Sequence, residues 1–145
     1  MNLTSIPPVL GSLKFDETLN WYEGSYAIPS GENVPFTVSL DATESEQAAL
    51  AEASELLPVV FELIQAGKQF ACDSLLELKN QSWLEDGCAP LSAQEFVSML
   101  QITSIGFFAD KECEISFDDG GIFLGHTVFV SWNPTEGFYD TGIAG

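Results

Sequence analysis

Hydrophobic and polar positions divide the chain into three stretches with different periods. From Val34 to Leu40 the apolar residues Val34, Phe36, Val38 and Leu40 alternate with Pro35, Thr37 and Ser39, the period of a strand with one dry face. Pro35 cannot donate to a ladder, which places it on an edge strand or near the start of its strand. The aromatic-rich run from Trp21 to Ile28 reads as a preceding strand, with Pro29 to Asn33 as the loop between them. Residues 1–12 carry no such period and are expected to form an irregular N-terminal segment.

In the middle the period lengthens to that of a helix. Leu50, Ala53, Leu57, Phe61 and Ile64 recur at helical spacing after Thr43-Glu44-Ser45-Glu46, a cap-rich opening whose acids suit a helix N-terminus. Pro58 is expected to kink or divide this helix, and Gly67 to stop it. A second helix is predicted from about Gln69 to Trp83. Ser92-Ala93-Gln94-Glu95 is a capping box for a short third one carrying Phe96, Met99 and Leu100.

Alternation then returns in four runs, Ile102 to Phe108, Glu112 to Phe117, Ile122 to Trp132 and Phe138 to Ile143, joined by short loops. Short loops between successive strands predict an antiparallel meander. The expected fold class is therefore α+β. One domain over 1–145 would hold an antiparallel sheet, N-terminal strands plus a C-terminal meander, with two to three helices inserted in the middle and packed on one face.

The hairpin around Asp118-Asp119-Gly120-Gly121 carries the candidate chemistry, because it joins two carboxylates to the chain's one histidine, His126. With Asp119-Gly120 at the centre of a type I′ turn, Phe117 faces Ile122, Ile115 faces Leu124 and Cys113 faces His126. That register puts Cys113, Ile115, Phe117, Ile122, Leu124, His126, Val128, Val130 and Trp132 on one apolar face, and Glu112, Glu114, Ser116, Thr127 and Ser131 on the other. It also holds His126 roughly 13 Å from the two aspartates, too far for a shared metal or a hydrogen-bonded dyad. On this reading His126 is a core histidine, Asp118 and Asp119 are turn formers, and neither a metal nor a cofactor is expected.

Composition narrows the partners. The 145 residues hold 22 Asp+Glu against 4 Lys+Arg, a formal charge of −18, and all four basic residues are lysines. Phosphate binding needs clustered cations, so nucleic acid is excluded as a direct partner, and an anionic membrane surface with it. Cys72, Cys88 and Cys113 are widely spaced, with no paired motif, and read as thiols of a reducing cytoplasm. No apolar run reaches about 18 residues, and the first residues lack a secretory pattern.

Trp21-Tyr22-Glu23-Gly24, the Leu91 to Phe96 helix opening and the Phe117 to Thr127 hairpin together resemble a bacterial family of small domains of unknown function. Its signature is an early W-[YF]-E-G and a later D-D-G-x-[LI]-F-x-G-H. The resemblance marks Trp21, Gly24, Asp118, Asp119, Gly120, Gly125 and His126 as motif positions. It implies an α+β domain without an established reaction, from a family some of whose members are encoded at toxin and immunity loci.

The function expected from these readings is a non-catalytic acidic interaction protein, a bacterial immunity protein that neutralises a basic toxin domain. Glu44, Glu52, Glu55, Glu62, Glu112, Glu114, Asp118 and Asp119 are its candidate contact residues. Two alternatives stand beside it: a small hydrolase or metal-dependent enzyme at Asp118, Asp119 and His126, and an acidic nucleic-acid mimic whose carboxylates replace phosphates. The acids could equally serve only to keep the surface solvated.

Overall fold

The computed structural model describes residues 8–28, 31–43, 45–83 and 89–144. Seven strands form one sheet in chain order: β1 Lys14–Asp16, β2 Trp21–Ala27, β3 Asn33–Ser39, β4 Gln101–Phe107, β5 Cys113–Asp118, β6 Thr127–Asn133 and β7 Gly137–Ala144. Three helices, α1 Glu46–Glu62, α2 Ile64–Ser82 and α3 Ala93–Met99, stand between β3 and β4. The fold is α+β.

All neighbouring strands are antiparallel except β3 and β4, which run parallel through Phe36↔Ile105, Thr37↔Gly106 and Val38↔Phe107. This departs from the wholly antiparallel sheet expected from the short loops. A long crossover is what parallel neighbours require, and the three helices supply it. Pro35 accordingly sits in an interior strand. Pairing with β4 begins only at Phe36, so beside Pro35 there is β2 alone.

Cross-strand partners share a face, so the row Phe36, Ile105, Ile115, Val130 defines one side of the sheet. Both long helices touch that side. In α1, Phe61 stacks on Tyr26 at 4.5 Å and Glu46 accepts the Tyr22 hydroxyl. In α2, Gly67 lies against Phe138 and Val130, where a Cβ would meet both at 3.3 Å. The core between the layers holds Phe36, Leu50, Leu57, Phe96, Ile115 and Phe117 with almost no exposure.

Helix boundaries differ from expectation at two points. Pro58 is inside α1, on its exposed side, and the break comes at Leu63, whose ψ of 0° ends one helix and starts the next. Gly67 is therefore not a stop. It lies in the first turns of α2, where lack of a side chain lets the helix approach the sheet. Ser45 caps α1 through Ala48 N at 3.0 Å, and the capping box of Ser92 with Glu95 opens α3. The Ser92 hydrogen bonds, backbone first, hold the Glu95 carboxyl below its ordinary value.

Candidate functional site

The largest correction concerns the hairpin. β5 and β6 pair as Asp118↔Thr127, Phe117↔Val128, Ile115↔Val130 and Cys113↔Trp132, so the connection is the eight-residue loop 119–126 rather than a two-residue turn. Ile122, Leu124 and His126, placed on a strand by alternation, belong to that loop. Cys113 faces Trp132, not His126.

The cause is Asp119, which is 1% exposed. Its Oδ1 accepts Gly121 N at 2.8 Å. Its Oδ2 accepts Phe123 N at 3.0 Å, Gly125 N at 3.0 Å and His126 N at 2.9 Å. Four amides converge on one carboxylate, and a two-residue turn, which would spread Phe123, Gly125 and His126 along a strand, could not bring them to it. Burial by itself pushes the Asp119 carboxyl up, but the four hydrogen bonds outweigh it and the net shift is downward. The sequence reading that Asp119 is a turn former agrees with this arrangement, though it anchors a longer loop. Asp118 is exposed and accepts Gly120 N at 3.1 Å.

The loop has an inner and an outer side. Phe123 is fully buried, edge-on to Trp83 at 5.5 Å and to Phe96 at 6.1 Å. Half-buried His126 lies edge-on to Trp83 at 5.4 Å, and its Nδ1–H donates to the Phe123 carbonyl. The carboxylate thus reaches the backbone nitrogen of His126 while the ring turns to a different acceptor. The separation of roughly 13 Å expected for these residues does not hold, yet the ring and the carboxylate are not paired with each other.

Leu124 is 65% exposed at φ +60°, a left-handed conformation that a leucine adopts at a cost of about 1 kcal/mol. Leu124→Gly is expected to raise stability by about 0.5 kcal/mol, the relief of strain less the extra freedom glycine gains when unfolded. Thermal melts would check this. A loss above about 1 kcal/mol would mean that the leucine side chain supports the fold.

A cleft of about 240 Å³ opens beside the loop, walled by Trp83, Leu91, Met99, Ile122 and Leu124, with Lys79 among its lining residues. Lys79 is buried, and its Nζ donates to the Trp83 carbonyl at 2.9 Å, so its charge caps the C-terminal end of α2.

The candidate contact acids are carried by different elements, although the Lys111–Glu55 pair brings α1 close to the segment that holds Glu112. Glu44 lies outside the described residues. Glu52, Glu55 and Glu62 are on α1, in the helical layer, and span about 15 Å. Duplex DNA carries about nine charges over that length, so three carboxylates there are a sparse imitation of phosphates. Glu112 precedes β5 and Asp118 ends it, about 20 Å apart. Glu114 is on the open face of the sheet in the row Gly106, Glu114, Ser131, Asp140. Burial first, and Asp140 second, raise its carboxyl above the ordinary range.

Around the start of β7 the acids are closer together, a grouping that sequence reasoning missed. Asn133 donates to Glu112 at 3.0 Å and to Glu136 at 3.3 Å, and the Tyr139 hydroxyl donates to Glu112. That hydrogen bond is the main cause of the Tyr139 hydroxyl being pushed up to about 12. The motif residues Trp21 and Gly24 have local roles. Trp21 Nε1 donates to Glu23 at 3.0 Å, and a Cβ on Gly24 would meet the Phe36 ring at 2.6 Å.

Among the described residues no group of three His, Cys, Asp or Glu could hold a metal ion, and no helix is long and apolar enough to cross a membrane. Cys72 and Cys113 are buried, and burial pushes both thiols up, Cys113 to about 12. Cys88 lies outside the described residues.

A family model described as "Uncharacterized protein conserved in bacteria (DUF2262)" matches residues 7–143. No curated protein and no solved structure matches the chain.

Proposed function

The chain belongs to this family of uncharacterized proteins conserved in bacteria, and from that premise we propose that it is an acidic binding protein that captures a basic protein partner, as an immunity protein captures a toxin domain. The observation that carries the reading is uncompensated charge. Against a formal −18, the described residues contain one ion pair, Lys111 Nζ to Glu55 at 4.0 Å between exposed side chains. Such a pair contributes little. Acids that repel one another in the free protein, as Glu114 and Asp140 do, are relieved by a partner's cations.

The assignment of a toxin as the partner rests on the resemblance of the Trp21 to Gly24 and Asp118 to His126 segments, and the assignment of a basic partner rests on charge. The competing hydrolase or metal-dependent enzyme would draw on Asp118, Asp119 and His126 for chemistry. Asp119 already accepts four amides, and its depressed pKa makes it a poor proton donor.

The test is association with any basic protein encoded by a reading frame beside its gene, followed by stopped-flow fluorescence. Charge steering predicts an association rate that falls roughly tenfold between about 50 and 500 mM salt. A rate indifferent to salt, or no complex at all, would count against capture by charge.

A further inference from the structure

We infer that the outer edge of β7 receives an extended, lysine- or arginine-bearing segment of the partner as an eighth strand. This rests on the basic-partner reading above and adds where the contact lies and what conformation the partner adopts there.

The sheet has two ends. At one, β1 spans three residues, Lys14–Asp16, too short a template for stable pairing. At the other, β7 spans eight, Gly137–Ala144, paired with β6 on its inner side from Asn133↔Gly137 to Thr127↔Ala144. Among the described residues no strand lies beyond it. A terminal strand presents a row of amides and carbonyls that lack ladder partners, and adding a strand is the direct way to satisfy them.

Charge decides which strand can be added. Asp140 is exposed on β7, in the transverse row with Ser131 and Glu114, while Glu112 and Glu136 share Asn133 where β6 turns into β7. None of these four carboxylates has an ion-pair partner among the described residues. A second copy approaching edge to edge would oppose one such group with another and −18 with −18, so the acids guard against self-pairing. The register shift between Ser131 and Trp132, which leaves Tyr139 unpaired, adds to the guard.

For a basic segment the same guard becomes an attraction. The residue directly opposite Asp140 on an added strand would have its Cβ about 5 Å away, within reach of a lysine or arginine. Residues alternating with it would fall on the helix side, beside the half-buried Phe138 and Ile143, which favours apolar side chains there. The segment expected is thus alternately basic and apolar.

The probe is a synthetic peptide of about twelve residues alternating lysine and valine, with two further versions N-methylated at alternate backbone nitrogens, one in each frame. Hydrogen exchange read by NMR should slow at alternating β7 amides with the plain peptide. One N-methylated frame should bind roughly tenfold more weakly, and Asp140→Lys should weaken the plain peptide by roughly fivefold while leaving the protein's own spectrum folded. Equal binding of all three peptides without protection in β7 would overturn strand addition and leave capture by charge standing. Protection at β1, or unchanged affinity in Asp140→Lys, would overturn the assignment of site and of charge selection respectively. β7 amides already protected in a dimer without peptide would make a second copy the occupant and overturn the proposal. Absence of peptide binding at about 50 mM salt would also overturn it, the basic-partner reading being judged separately by the salt dependence of association.

Discussion

Asp119→Ala should destabilise the fold by roughly 3–5 kcal/mol, the range for deleting one partner of a buried, charged hydrogen-bond cluster. The four amides of Gly121, Phe123, Gly125 and His126 would lose their common acceptor inside a loop too tight to hydrate them all. Asp119→Asn keeps one acceptor oxygen and turns a donor toward the remaining amide, so a loss of about 2 kcal/mol is expected. The depressed pKa also gives the difference between wild type and the Asn variant a pH dependence. A carboxylate with a lowered folded pKa contributes its full stability above the unfolded value. That contribution is lost as pH falls from about 4 through the folded pKa. Comparing the two proteins at each pH cancels the general relief of charge repulsion that acid brings to so negative a chain. Urea melts at pH 7 and pH 3 would check this. A wild-type advantage that is below about 1 kcal/mol at pH 7, or that grows on acidification, would show that the loop does not depend on the carboxylate.

Gly120→Ala should cost roughly 2–4 kcal/mol, for two reasons that add. Its φ of +62° is strained for any side chain, and a Cβ there would sit 2.5 Å from the Met99 carbonyl oxygen and 3.0 Å from the Met99 Cβ. The obstacle is largely backbone at the end of α3, which cannot swing aside as a flexible side chain would. Gly121→Ala separates the two causes. Its φ of +91° is also positive, but nothing lies within 4 Å of the added Cβ, so about 1 kcal/mol is expected. Thermal unfolding of the pair would decide it, and equal losses would mean that the loop can draw back from Met99. Gly120 thereby docks the loop on α3, next to the packing of Phe123 on Phe96.

Element types were legible wherever a local period or cap chemistry specified them. Ser92 and Glu95 form the capping box that their spacing predicts, and Val34, Phe36 and Val38 face the core as their alternation predicts. The candidate site was legible only in part. Asp119 stood out as a turn residue, but its four amide partners are spread over six residues of a loop that the alternation of Ile122, Leu124 and His126 disguises as strand. Glu112 was a candidate from the sequence, but its grouping with Glu136 through Asn133 was not legible, because β5 and β6 must pair before Asn133 can reach both.

The amino-acid sequence by itself determined which side of β3, β5 and β6 is dry, the cap-rich helix openings at 43–46 and 92–95, and the excess of carboxylates. Those properties reside in single residues and their near neighbours. Only the tertiary structure decided the register of β5 on β6. Phe117 pairs with Val128 rather than Ile122, a slip of six residues. Because the slip is even, Cys113, Ile115, Phe117, Val128 and Val130 kept the buried face that alternation assigns them, while Leu124 was turned out into solvent. The parallel pairing of β3 with β4 and the close approach of Gly67 to Val130 and Phe138 were decided at the same level. Periodicity records whether a position is dry, but the length of a connection depends on where buried backbone amides find their acceptors. For the loop 119–126 that acceptor is a single carboxylate.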